Sequence, residues 1–162
     1  MAAETGHLVL STLHTVDAGQ SINRILGLFS LGEEQQLRIR LADTLRYIVS
    51  QRLAPKVNGG RQLLTEILGH NLRTRETVAI GEGEHRSFYE IIEASSPFGW
   101  MTFDQSILNA YESDLITEET ARLFASRKGK VSRGIDIIQK TRGVDNDLDS
   151  GLRLDRPVNA FR

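Results

Sequence analysis

The chain has 162 residues, 40% hydrophobic and 25% charged, with 20 basic and 21 acidic side chains. That is enough apolar material for the core of one ordinary domain, and the net charge of −1 provides no global field favouring nucleic acid or an anionic membrane. The absence of cysteine excludes disulfides and cysteine-ligated metals. No apolar run is long enough to span a membrane, so we expect no membrane insertion.

The first element is a short apolar run, residues 8–10, which lies between two histidines. It is too short for a helix, is closed by hydroxyl side chains and is followed at once by a helix start. This pattern predicts a buried strand of an α/β sheet whose end presents polar groups. Ligands of open α/β sheets lie beyond the carboxyl ends of strands. His14, with Thr12 and Thr15 beside it, is therefore suited to contact a phosphate or a water.

Residues 2–15, Ala-Ala-Glu-Thr-Gly-His-Leu-Val-Leu-Ser-Thr-Leu-His-Thr, resemble the histidine box of the secretion ATPase superfamily. That superfamily contains the type IV pilus retraction ATPases PilT and PilU, the pilus assembly ATPases and the type II secretion ATPases. The resemblance implies an α/β fold, the C-terminal portion of a RecA-like P-loop NTPase domain with a partial sheet and a β-hairpin. It implies an ATPase core over residues 1–70, followed by a helical C-terminal subdomain over 71–141. Residues 142–162 are polar and broken by Gly151 and Pro157, so we expect them to form a mobile tail.

The resemblance also assigns roles to individual side chains. His14, the second histidine of the box, is expected near the terminal phosphate of the nucleotide, where it couples hydrolysis to domain movement. His7 is the second catalytic candidate, although bracing a neighbouring strand stays equally open for it. Further nucleotide-proximal candidates, for which ordinary ion pairs or strand-end contacts stay open, are Glu4, Thr12, Thr15 and Arg24. The histidines are seven residues apart, so a regular strand would point them to opposite faces, and no metal site is predicted.

The phosphate-loop pattern Gly-x-x-x-x-Gly-Lys-Ser/Thr is absent from these residues, because the single Gly-Lys pair, Gly129-Lys130, is followed by Val131. Met1 followed by Ala-Ala-Glu is not typical of a natural beginning, and in the family that residues 2–15 resemble, the histidine box lies midway through the catalytic domain. The resemblance therefore implies a fragment with an added start methionine that lacks the phosphate loop and the Walker B region. We expect this fragment to bind no cofactor and to be inactive alone. For the intact protein, the resemblance implies ATP and Mg²⁺, a hexamer, and inner-membrane pilus platform proteins as partners. It implies a cytoplasmic location peripheral to the inner membrane and no nucleic acid.

Further along the chain, Asp17 with Gln20 predicts a helix start. Residues 33–53 are predicted to form one long amphipathic helix whose stripe includes Leu37, Leu41, Leu45 and Ile48.

Asn58-Gly59 between two extended segments predicts a β-hairpin, and residues 50–68 resemble the family's segment at this place. Glu66 is assigned an ion pair with Arg52 or Arg61 in preference to a catalytic role. Secretion and assembly members usually carry two zinc-binding Cys-x-x-Cys pairs near this hairpin. Their absence here favours the retraction type.

The C-terminal half contains helix signals and a second region of resemblance. Residues 99–104 resemble the family's Gly-Met-x-Thr-Leu-Asp, and Thr102 with Gln105 predicts a capping box. Asp114 replaces a helix-ending glycine, which Asp tolerates because it accepts left-handed geometry better than most residues. A last helix is expected to end near Thr141. Three interpretations stay open: a retraction ATPase fragment, a secretion or assembly ATPase fragment, and a stand-alone α/β interaction domain.

Overall fold

The computed structural model describes residues 2–84 and 86–143. The tail predicted at 142–162 lies outside these residues from 144 onward. The described part contains two single 3₁₀ turns (Ala2–Thr5, Ser96–Phe98), a two-stranded sheet and seven α-helices. The elements in chain order are α1 (Ala18–Leu26), α2 (Leu31–Thr44), β1 (Ile48–Pro55), β2 (Arg61–Leu68), α3 (Leu72–Ile80), α4 (Phe88–Ala94), α5 (Phe103–Glu112), α6 (Glu118–Phe124) and α7 (Lys128–Thr141). The predicted α/β class is confirmed.

The two strands form the predicted hairpin. They pair antiparallel from Ile48↔Leu68 to Pro55↔Arg61. Gly59 and Gly60 turn the chain with φ of 82° and 79°, a region that glycine enters without steric cost. The amide of Lys56 donates to the carbonyl of Gly60 at 3.2 Å and closes the turn.

The strand predicted at residues 8–10 is wrong. Residues 7–15 have no regular secondary structure, and the side chains of Leu8 and Leu10 are 84% and 86% exposed. A strand needs a neighbour for its backbone hydrogen bonds. In the described part of the chain the sheet consists of β1 and β2 alone, and residues 8–10 pair with neither strand.

The long helix predicted over 33–53 is also wrong. α2 ends at Thr44, and the chain then becomes extended and enters β1 at Ile48. The predicted apolar stripe nevertheless packs on one core across this boundary, since Leu37, Leu41, Leu45 and Ile48 all contact it. A continuous buried stripe does not distinguish one helix from a helix followed by a strand. β-branched residues and pairing with β2 favour the strand.

Two hydrophobic cores share the hairpin. The first joins α1, α2, α3 and α4 and includes Leu68 of β2. The second joins α5, α6 and α7 and includes Ala54 of β1 and Leu64 of β2. The same face of the hairpin therefore packs on both cores, with Leu68 in the first and with Ala54 and Leu64 in the second.

Local signals in the second half are confirmed. Thr102 and Gln105 form the predicted capping box at the start of α5. Asp114 has the expected left-handed backbone, with φ of 55°, and its carboxylate lies 3.1 Å from the guanidinium of Arg142. The last helix, α7, ends at Thr141 as predicted.

Candidate functional site

The histidine segment, residues 7–16, is an exposed stretch of coil that leads into α1. His14 is exposed. His7 is exposed too, and its Nδ1 lies 3.0 Å from the hydroxyl of Thr5. That hydroxyl donates to the carbonyl of Ala2 at 2.9 Å, so the His7 contact requires the ring to carry its proton on Nδ1. Both imidazoles are open to a partner.

The other candidate side chains lie at different places around this segment. The carboxylate of Glu4 is 3.6 Å from the guanidinium of Arg40 on α2. The hydroxyl of Thr15 is 2.6 Å from that of Ser21 on α1. Thr12 and Arg24 are exposed. Among the described residues, no hydrogen bond or ion pair joins one candidate to another. Thr15 is held against α1 by Ser21, whereas both histidines lie on an exposed part of the chain.

The end of the histidine segment is fastened to the hairpin. Glu66 of β2 is only 5% exposed, and its Oε1 accepts a hydrogen bond from the amide of Ala18, the first residue of α1, at 2.9 Å. Asp17 caps the same helix by accepting from the amide of Gln20 at 2.8 Å. Burial raises the pKa of the Glu66 carboxyl, the Ala18 amide opposes this, and the charge of Asp17 adds to it.

The ion pair predicted for Glu66 is not formed. In the described part of the chain no ion pair within 4.0 Å joins it to Arg52 or Arg61. The carboxylate accepts from a helix N-terminus instead, which suits an anion because the first amides of a helix have no intrahelical partner.

Arg52 of β1 reaches the histidine segment and the second core together. Its Nη2 donates to the carbonyl of Val16 at 3.2 Å. Its Nη1 donates to the carbonyl of Phe124 at 3.1 Å and lies 3.2 Å from the hydroxyl of Ser126, in the loop between α6 and α7. The guanidinium stacks on the ring of Phe103, 3.8 Å from its centroid. The sequence analysis named Arg52 only as a possible ion-pair partner of Glu66 and gave no sign of these contacts, because they join residues up to 74 positions apart.

Asp104 organises the loop between α6 and α7 from the other side. Its carboxylate is 2% exposed and accepts hydrogen bonds from the amides of Ser126 at 2.7 Å and Arg127 at 3.0 Å, and from the hydroxyl of Tyr89 at 2.9 Å. Burial, followed by the hydrogen bond to Asp104, raises the pKa of the Tyr89 phenol. The motif Gly-x-x-Thr-Phe-Asp was the sequence signal for this residue, although it did not indicate a loop anchor.

A cleft of about 260 Å³ lies beside the start of α1. The charged residues of its lining are all acidic, namely Asp17, Glu66 and Glu82, and its apolar lining includes Phe88 and Ile92. Carboxylates repel phosphates, so this cleft is not suited to a nucleotide.

The described residues do not by themselves fit ATP and Mg²⁺. The histidine segment offers imidazoles and hydroxyls but no enclosing backbone cradle of the kind that holds phosphates. Within residues 2–84 and 86–143, no group of three or more His, Asp or Glu side chains is placed to hold a metal ion. In the same part of the chain, none of the helices has both the length and the apolar character needed to cross a membrane.

Comparisons with known proteins match this arrangement to one family. The sequence model of the family described as "Type II/IV secretion system protein" matches residues 1–141. The chain is 34% identical over 121 residues to the type IV pilus retraction ATPase PilT of Pseudomonas aeruginosa, covering 75% of this chain and 35% of that protein. It is 34% identical over 132 residues to a twitching motility protein of Neisseria gonorrhoeae, covering 81% of this chain and 35% of that protein.

A solved structure of the pilus retraction motor PilT with bound ADP is also similar, with a TM-score of 0.64 and 35% identity over 80% of this chain and 36% of that chain. These matches confirm the resemblance inferred from the histidine box. The chain spans about a third of the length of the curated relatives it matches.

Proposed function

This chain belongs to the type II/IV secretion system protein family, and on that premise we propose that it is part of a hexameric motor ATPase that retracts type IV pili. Retraction of this kind powers twitching motility. The single observation that carries the proposal is the histidine box at residues 2–15. The names of its relatives support the retraction type, since one is a pilus retraction ATPase and another a twitching motility protein.

In the proposed intact protein, the phosphate loop and the Walker B acid come from a part of the protein that these residues do not include. That part holds ATP and Mg²⁺ and brings them to the histidine segment. The exposure of His14 supports this assignment, because an imidazole that is to meet a ligand must be open to it. His7 is the second proposed contact, and the further proposed contacts near the nucleotide are Glu4, Thr12, Thr15 and Arg24.

The proposed location is the cytoplasm, at the inner membrane, where the motor is held by pilus platform proteins. The protein would act without nucleic acid and without entering the bilayer. The lack of cysteine pairs near the hairpin supports retraction over secretion or assembly, because it removes the zinc ligands usual in those members.

The proposal is tested by reading the gene upstream of the histidine box and by assaying the protein that the gene encodes. We expect a phosphate-loop sequence upstream of the histidine box, ATP hydrolysis by the purified protein, and a loss of hydrolysis on His14→Ala of at least about a hundredfold, as for other transition-state contacts. Arg73→Ala, on the exposed face of α3, is the matched control and should keep wild-type hydrolysis. A reading frame without a phosphate loop would favour a stand-alone interaction domain instead.

The direction of movement needs a separate measurement. Cells lacking the gene should assemble pili but fail to retract them, and the wild-type gene should restore twitching. Loss of pili from the deletion strain would favour an assembly ATPase.

A further inference from the structure

Two charged residues of the hairpin hold the same short piece of backbone, where the histidine segment enters α1. Arg52 holds the carbonyl of Val16 at 3.2 Å, and Glu66 holds the amide of Ala18 at 2.9 Å. In the hairpin register, Arg52 lies opposite Leu64 and Glu66 opposite Ser50, so the two charged groups share the inner face. On this face they lie between Leu68, a residue of the first core, and Ala54, a residue of the second, and we call this strip the polar seam.

Arg52 continues this connection into the second core. The same guanidinium that holds Val16 donates through Nη1 to the carbonyl of Phe124 and lies within hydrogen-bond distance of the hydroxyl of Ser126. The ring of Phe103 stacks on this guanidinium and so restricts its orientation. A guanidinium is planar and rigid, so its two ends cannot move independently.

The far end of the connection is itself fixed. The loop between α6 and α7 is held by Asp104 through the amides of Ser126 and Arg127. Asp104 belongs to α5, a helix buried in the second core. A continuous set of contacts therefore leads from Val16 through Arg52 and the loop to α5.

We propose that Arg52 is a positioning residue that couples the histidine segment to the loop between α6 and α7. A shift of one end is transmitted to the other through its guanidinium. The role of this coupling in a motor rests on the proposed function, because it would carry a change at His14 into the helical part of the molecule.

The coupling is tested in this chain by nuclear magnetic resonance, following the carbonyl carbon of Val16 and the amide of Asp17. Ser126→Ala removes an acceptor of Arg52 at the loop end, in an exposed residue. We expect it to shift both resonances when Arg52 is present. In the Arg52→Met background, adding Ser126→Ala should cause no further shift of either resonance.

Ser132→Ala is the matched control, because the hydroxyl of Ser132 accepts from another arginine, Arg122, at 2.6 Å between α6 and α7. It should shift neither resonance in either background. If Arg52→Met does not fold, Arg52→Lys serves as the background, since it keeps the charge but lacks the fork.

Equal shifts from Ser126→Ala in both backgrounds, or no shift in either, would overturn the coupling. Arg52 would then be a residue that packs in the polar seam without linking its two ends. None of these measurements requires nucleotide or hydrolysis. Failure of the coupling is therefore distinct from failure of the proposed function.

Discussion

Gly69, at the end of β2, shows how closely single residues are packed in the first core. A Cβ at this position would lie 2.4 Å from two carbons of the Trp100 indole, and Trp100 is only 6% exposed. The indole has no room to withdraw into solvent. The residue that follows β2 is therefore restricted to glycine by a neighbour 31 positions away in sequence, which no local pattern indicates.

Gly69→Ala is expected to lower the free energy of unfolding by about 1–3 kcal/mol, the usual cost of overpacking a core. Urea unfolding followed by the fluorescence of Trp100 measures it. Gly129→Ala is the control, since nothing lies within 4 Å of its added Cβ and the position is in α7. Alanine is the better helix former, so that variant should be neutral or slightly stabilised. Equal effects at the two sites would contradict the packing argument.

Glu66 predicts a pH dependence with a definite sign. Its pKa is raised in the folded chain, chiefly by burial. At a pH just above the ordinary pKa of a glutamate, about 4.5, the folded state therefore binds more protons than the unfolded state. Its contribution to stability therefore falls as the pH rises from about 4.5 through the folded pKa, and then levels off. Glu66→Gln keeps an acceptor for the amide of Ala18 and removes the charge. The variant should gain stability relative to wild type over that interval, measured by urea unfolding at several pH values.

Glu33 is the control of opposite sign. Hydrogen bonds from the hydroxyl and the amide of Ser30 lower the pKa of its carboxyl. The contribution of Glu33 to the free energy of unfolding is present when the pH lies above the ordinary pKa of a glutamate, and it is lost as the pH falls through the pKa in the folded state. Glu33→Gln should lose stability relative to wild type toward neutral pH. The same pH trend in both variants would show that the burial of Glu66 does not control its protonation.

At the scale of elements, α6 is a short helix that depends on its cap. It spans Glu118–Phe124, seven residues, too few to be stable in isolation. The hydroxyl of Thr117 accepts from the amide of Thr120 at 3.1 Å and begins the helix. The carbonyl of Phe124 at its other end is a partner of Arg52, so the cap also supports the proposed coupling.

Thr117→Ala should therefore cost about 1 kcal/mol of unfolding free energy, the typical value for a lost N-cap. Thr117→Ser keeps the hydroxyl at this exposed position and should stay close to wild type. Thermal unfolding of the two variants side by side gives the difference. If Thr117→Ser is as unstable as Thr117→Ala, the hydroxyl is not what stabilises the start of α6.

At the scale of the whole molecule, the acidic cleft and the open histidine segment predict the activity of these 162 residues alone. Neither feature encloses phosphate, since the cleft is lined by Asp17, Glu66 and Glu82 and residues 7–16 are exposed coil or nearly so. We expect no useful ATP hydrolysis in a phosphate-release assay. His14→Ala is the reference, because release clearly above that variant would mean that the chain binds and cleaves ATP without a phosphate loop.

The sequence by itself determined the features that depend on near neighbours: the cap at Asp17, the hairpin turn at Asn58-Gly59, the capping box of α5, the left-handed Asp114 and the histidine box that carries the family. These follow from steric and hydrogen-bonding rules acting over a few residues. Only the tertiary structure decided that residues 8–10 form no strand, because a strand requires a partner.

The tertiary structure also decided that the apolar stripe from Leu37 to Ile48 runs from a helix into a strand, because burial alone does not specify the backbone conformation. The contacts of Arg52 and Glu66, and those of Asp104 with the loop between α6 and α7, were likewise a tertiary result, since they join residues 22–74 positions apart.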